Sequence, residues 1–195
     1  MIYIASKRKN PKTLAKEYPD AVFVDVTSSS SSEFVRLSPF YPYGGIPVPN
    51  SEPLTASCVE AIWQGLKVFE TADVDTSLFS NNTMKHLKRT VRKYGRPLGH
   101  RFGINSDVLL GYIDARKAIY IPIFNWVLEN KAKDLIKKLA AIASKQNLVL
   151  LDYDTNGDVE RTYAPLSHAS LIKAYIESNH TINKKYIPSN LFDYE

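Results

Sequence analysis

The sequence predicts an α+β fold: a compact, helix-rich single domain with a few short strands. Three observations predict it. Short apolar runs, MIYIAS at the start, AVFVDVTS at 21–28 and NLVLLDYDT at 147–155, have the length and β-branched content of buried strands. Stretches with helical spacing are longer than these and outnumber them. A chain of 195 residues, 44% hydrophobic and 23% charged, suits one well-packed soluble domain.

Taken in order, MIYIAS is the first strand, PKTLAKEYP a brief helix and AVFVDVTS the second strand, an arrangement that permits a parallel pair. The run SSSSS at 28–32 reads as a connector. SPFYPYGGIPVPNSEP, residues 38–53, holds five prolines and two glycines among aromatics, which excludes regular helix and central sheet. A loop of this length and aromatic content points to function rather than disorder. SCVEAIWQGLKVF, residues 57–69, predicts a helix capped near Thr55 or Ser57. A basic helix over 82–94 follows and stops at Gly95. VLLGYIDARKAIYIPIFNWVLENKAKDLIKKLAAIASKQ predicts two helices with a bend at Pro122, where a backbone hydrogen bond is lost. NLVLLDYDT is the clearest late strand, with a polar turn TNGD after it. SHASLIKAYIES closes the chain as an amphipathic helix before a tail.

The net charge of +5 leans towards anionic partners, with basic residues gathered in SKRKNPK (6–12) and MKHLKRTVRKYGR (84–96). A solvated face explains such clusters equally well. No apolar run is long enough to cross a bilayer, so no membrane partner is expected. The amino terminus carries its charges after its apolar residues, unlike a secretory signal. One cysteine, Cys58, excludes an internal disulfide and fits a reducing, cytoplasmic setting. His86, His100, His168 and His180 lack metal-ligand spacing, and no metal or cofactor is expected. Asp152, Asp154, Asn156 and Asp158 lack the downstream acid of a calcium loop and read as a turn after a strand.

The 57–69 helix contains two charges, Glu60 and Lys67, which fall with Gln64 at i, i+4 and i+7 on one narrow arc bordered by Trp63. Val59, Ile62, Leu66 and Phe69 lie opposite, and Ala61 and Gly65 form a small-residue strip open to close packing. Two readings stand at this point. The arc is the exposed stripe of a core-facing helix, or it lines a cleft under the aromatic loop, where a carboxyl near apolar surface acts as acid or base.

LSPFYPYGGIPVP followed by SCVEAIWQGLKVF resembles the NADAR family, with its block S-N-F-Y-P and its later block S/T-V-E-H-x-Y/W-Q-x-x-K. Ser38, Phe40, Tyr41 and Pro42 match the first block; Val59, Glu60, Gln64 and Lys67 match the second at the right spacing. KYGRPLGHRFG is similar to a later glycine-arginine segment, and the resemblance covers residues 36–100, with the remainder matching in outline. Pro39 stands in place of the family's asparagine and Ala61 in place of its histidine. The resemblance implies one NADAR-like domain over 1–195, with 1–35 a strand–helix–strand extension and 180–195 a tail. It also implies an N-glycosidase acting on an ADP-ribosylated nucleobase, as guanine in nucleotide or DNA, or on a related phosphorylated N-riboside. Glu60 and Lys67 would then be catalytic. Ser38, Phe40, Tyr41, Trp63, Gln64, Arg96, Arg101, Asp152 and His168 would bind substrate, with aromatic rings stacking a base and arginines meeting pyrophosphate. The alternative is a non-catalytic module that binds nucleotide, ADP-ribose or nucleic acid in defence or counter-defence, in a cell or in the host cytoplasm of a virus.

Overall fold

The structure is a computed structural model, described over residues 1–181, with side chains to residue 178. The fold class is α+β. In chain order the elements begin with β1 (Ile2–Ser6), α1 (Pro11–Glu17), β2 (Val22–Asp25) and a 3-10 turn at Glu33–Leu37. They continue with β3 (Ile46–Pro47), β4 (Thr55–Ala56), α2 (Val59–Gly65), β5 (Lys67–Phe69) and a 3-10 turn at Thr76–Ser80. Next come α3 (Val91–Tyr94), β6 (Pro97–Arg101), β7 (Leu109–Leu110) and α4 (Tyr112–Ala115). A π-helical turn at Arg116–Tyr120, α5 (Ile121–Asn130), α6 (Lys133–Lys145), β8 (Leu148–Asp152) and α7 (His168–Thr181) complete the series. The expected tail lies, beyond Thr181, outside the described residues. No described helix is long and apolar enough to cross a membrane.

The chain forms two compact units, one of residues 1–38 with the described residues from 128 onward, the other of residues 39–127. In the first unit β8 lies between β1 and β2 and is parallel to both. The two early strands are therefore not each other's neighbours, and the strand–helix–strand segment is built into a sheet with residue 148 onward rather than appended. Alternation divides the faces. Ala5 and Val149 pack with Leu14 of α1, flanked by Tyr3, Phe23 and Leu151. The opposite register, Ile2, Ile4, Leu148, Leu150 and Asp152, turns to the face on which α7 packs. Asn10 caps α1 by accepting from the Lys12 N–H, with Pro11 at the first helical position, where its missing N–H costs nothing.

The second unit holds the antiparallel β3–β4 pair and the β5–β6–β7 sheet around α2. Helix α2 is shorter than the expected 57–69, because outside donors claim its last carbonyls. The Gly65 carbonyl accepts from Asp75 N–H at 2.8 Å, and the Leu66 carbonyl from Arg101 N–H at 2.9 Å. Lys67 accordingly opens β5, so its placement at i+7 of a helix does not hold. The cap is Cys58, whose Sγ accepts from Ala61 N–H at 3.3 Å, rather than Thr55 or Ser57. Gly65 is needed for packing: a Cβ there would stand 2.4 Å from Cε1 of Phe79. The expected basic helix of 82–94 shrinks to the single turn α3. Met84 and His86 adopt left-handed φ values of 59° and 58°, and the chain from 87 to 90 alternates, with Leu87 and Arg89 buried and Lys88 and Thr90 exposed. The helix bend expected at Pro122 is instead a π-helical turn just before it, which takes up the ladder position that proline cannot fill.

Candidate functional site

Every residue of α2 from Val59 to Gly65 is buried, which removes the exposed-stripe reading of this helix. Glu60 is 7% exposed and Gln64 6%. Gln64 Nε2 donates to Glu60 Oε1 at 2.9 Å, and Gln64 Oε1 accepts the Arg89 N–H at 3.1 Å. Both ends of the amide are engaged, and Gln64 orients the Glu60 carboxylate. The aromatic loop is tied to the first turn of this helix. Glu60 N–H donates to the Pro39 carbonyl at 2.9 Å, and Gly44 N–H to the Ser57 carbonyl at 3.0 Å. Proline at 39 thus contributes through its backbone, where the NADAR pattern has an asparagine side chain.

Lys67 lies at the start of β5, in register with His100 on β6. Its Nζ is 5.7 Å from the centroid of the Trp63 ring, a cation–π distance. Burial lowers the Lys67 pKa, the Glu60 charge works against that, and the Arg89 and Lys88 charges add to it. The His100 imidazole stacks on the Trp63 indole at 3.7 Å and 27°. It is 2% exposed, and neither ring nitrogen has a hydrogen-bond partner among the described residues. Burial, with the charge of Lys67 adding, pushes its pKa down to about 3, so the ring is neutral at ordinary pH. Tyr120 meets Trp63 edge-on at 5.4 Å and Tyr112 tilts against it at 5.9 Å. Trp63 is therefore walled by rings of its own chain, and one indole face is already taken by His100. Cys58, at the helix start, is a buried thiol with its pKa pushed up to about 11 by burial, which makes it an inert cap.

Arg89 organises this region, and nothing in the basic run around it singled it out. It is 8% exposed, and its guanidinium donates to the carbonyls of Lys67 at 2.5 Å and Asp73 at 2.8 Å, with Gln64 at 3.4 Å. The same group lies 4.9 Å from the rings of both Phe69 and Tyr94. The signal for it was the alternation Leu87, Lys88, Arg89, an extended pattern inside a segment that reads by charge as helix. His100 was also missed, although it sits mid-strand in PLGHR, where one face must be covered.

The remaining expected residues fall elsewhere. Arg96 is exposed and pairs with Glu70, Nε to Oε1 at 3.3 Å. Arg101 makes a two-point bridge to Asp73 at 3.0 and 2.8 Å and donates to the Ser106 carbonyl at 3.1 Å. Both arginines thus have a carboxylate partner in place of pyrophosphate. Phe40 is half-buried, and Tyr41 is half-buried with its ring against Tyr43 at 4.8 Å. Ser38 is buried at the end of a 3-10 turn, its N–H on the Val35 carbonyl at 3.0 Å.

Asp152 and His168 belong to the first unit and bond to each other, Nδ1 to Oδ2 at 3.0 Å. The same carboxylate accepts from the Ser167 hydroxyl at 2.8 Å and Ala169 N–H at 3.3 Å, while His168 Nε2 meets the Val26 carbonyl at 2.8 Å. Burial alone would raise the Asp152 pKa; His168 and these donors outweigh it and hold the carboxyl below its usual range. The group fastens the start of α7 to the ends of β2 and β8. Among the described residues no cluster of three His, Cys, Asp or Glu side chains is arranged to hold a metal ion.

No curated protein matches the chain. One family model does, over residues 6–172, a span that runs from the last residue of β1 into the first turns of α7 and includes the whole of α2 with Glu60. On that match the chain belongs to DUF6939, a family of unknown function.

Proposed function

We propose that this protein is an N-glycosidase that hydrolyses the C1′–N bond of an ADP-ribosylated guanine or a related phosphorylated N-riboside. The observation that carries the reading is the Glu60 carboxylate, buried on α2 and fixed in orientation by Gln64. Its support in sequence is the match of Ser38, Phe40, Tyr41, Glu60, Gln64 and Lys67 to the NADAR pattern. The chemistry suits such a group. As the bond breaks, its electron pair leaves with the base nitrogen and positive charge develops at C1′. A carboxylate held in apolar surroundings stabilises that charge, then takes a proton from the water that adds to C1′ and delivers it to the base nitrogen. One water is consumed, one C–N bond is exchanged for a C–O bond, and no oxidant or metal enters. In this reading Lys67, whose hold on its proton is weakened by burial, meets the substrate phosphate. The same reading places the protein in the cytoplasm, beside nucleotide and DNA substrates.

The test is release of free ADP-ribose from ADP-ribosylated guanine, supplied as nucleotide and within a DNA oligonucleotide. Glu60→Gln keeps the size of the side chain and should lower turnover by about 10²–10⁴-fold with substrate binding retained. Full turnover in that variant removes Glu60 from the mechanism. Tight binding by the unaltered chain with no product over long incubation identifies a non-catalytic nucleotide-binding module instead.

A further inference from the structure

The parallel sheet of the first unit has an edge that the N-glycosidase reading does not use. β1, β2 and β8 run in the same direction, so their carboxyl ends emerge together, with Ser6 paired to Asp152 and Asp25 to Leu151. The chain leaves β1 into α1 on one face and leaves β8 towards α7 on the other. In an open parallel sheet, neighbouring strands that part in this way leave a crevice at their carboxyl ends, the usual seat of a ligand.

The residues at this edge divide by face. Asp152 turns to α7 and is spent there. Lys7, Asp25 and Tyr153 continue the register that faces α1. The Lys7 ammonium donates to Asp25 Oδ2 at 2.5 Å, Thr27 Oγ1 at 3.1 Å and Ser29 Oγ at 2.6 Å. Ser29 Oγ and the Tyr153 hydroxyl lie 2.7 Å apart. Arg8 stands 5.2 Å and Lys7 5.7 Å from the centroid of the Tyr153 ring, which is 37% exposed. Asp25 balances one of these two cations. Arg8 donates to the Tyr153 carbonyl at 3.0 Å and, among the described residues, meets no carboxylate. This edge thus carries one uncompensated positive charge, hydroxyl groups from the serine run that reads as a connector in the sequence, and a partly exposed aromatic ring.

We propose that this carboxyl edge is a second binding site, for a phosphomonoester, with Arg8 meeting the phosphate, Ser29 donating to it and Tyr153 lying against the remainder of the ligand. A phosphomonoester brings negative charge to the one cation that Asp25 leaves unmatched, and a guanidinium is suited to two of its oxygens at once. The site lies in a different unit from Glu60 and does not rest on the N-glycosidase reading.

Calorimetric titration of the full chain with inorganic phosphate, ribose 5-phosphate and adenosine 5′-monophosphate tests it. Binding of the monoesters that weakens with added salt is the expected result, with Arg8→Ala losing about tenfold or more in affinity. Arg8 is exposed, so this substitution does not disturb the core. If adenosine 5′-monophosphate binds more tightly than ribose 5-phosphate and Tyr153→Leu abolishes the difference, the ligand carries a base; equal affinities assign a sugar phosphate. Absence of heat with all three ligands overturns the site. So does an unchanged affinity in Arg8→Ala, or an equal loss in Lys16→Ala, which would mark diffuse attraction to the basic segment.

Discussion

Replacing Arg89 by alanine should destabilise the 39–127 unit more than any surface change in the basic segment. The guanidinium makes two short charge-assisted bonds, to the carbonyls of Lys67 and Asp73, and a longer one to that of Gln64. A hydrogen bond to a charged group contributes about 1.5–3 kcal/mol. Alanine also takes the guanidinium donor away from the carbonyls of Lys67 and Asp73. Water entering the vacated space recovers part of this, so the net loss should be about 3–5 kcal/mol. Arg89→Lys keeps the charge but reaches one carbonyl in place of three, and should lose about half as much. Urea unfolding followed by tryptophan fluorescence reads the effect in the right place, because both tryptophans, Trp63 and Trp126, lie within residues 39–127. A fall of less than about 1 kcal/mol at unchanged slope would refute the view that Arg89 closes this region.

Two further outcomes follow from the same region. Gly65→Ala gains about 1 kcal/mol in helix propensity, but its Cβ would meet the Phe79 ring at 2.4 Å and the Asp75 carbonyl at 3.1 Å. The crowding cost of about 1–3 kcal/mol should win, and a melting temperature equal to or above that of the unaltered chain would contradict it. His100 binds a proton near its ordinary value of 6.5 when unfolded and near about 3 when folded. Between those values the unfolded state holds more protons, so its contribution to stability is complete above pH 6.5 and is lost as pH falls towards 3. The effect should reach at most about 5 kcal/mol. Fluorescence-monitored unfolding across that window should show a flatter pH profile in His100→Phe, and identical profiles would refute it.

Much of the fold was legible because it rests on local pattern. The three apolar runs became β1, β2 and β8, and the brief helix read in PKTLAKEYP became α1. The order of the sheet was not, since Leu148–Asp152 enters between two strands more than 120 residues away in sequence, and only tertiary packing sets that. The length of α2 was hidden for the same reason. Its periodicity runs on to Phe69, but the groups that end it, Asp75 N–H, the Arg89 guanidinium and Arg101 N–H, come from well beyond the window a helical pattern samples. In the candidate site, the pattern of SCVEAIWQGLKVF left open whether Glu60 faces solvent or a cleft, and the structure buries it. His100 and Arg89 were obscured because histidine within a strand and arginine within a basic run each look ordinary until the register of their neighbours is known.

A chain of hydrogen bonds joins the basic segment to the buried carboxylate. The main chain at Arg89 holds Gln64, Gln64 holds Glu60, and the Arg89 side chain grips the backbone on which Lys67 begins β5. The loop that makes these inward bonds turns Lys85, Lys88, Arg92 and Lys93 outward, and the Lys88 charge already reaches Lys67. Charge attraction at the surface and placement of the carboxylate inside are separated by two hydrogen bonds, Arg89 N–H to Gln64 and Gln64 to Glu60. That economy explains why Arg89 must be buried and many-bonded while its neighbours in the sequence are free to face solvent.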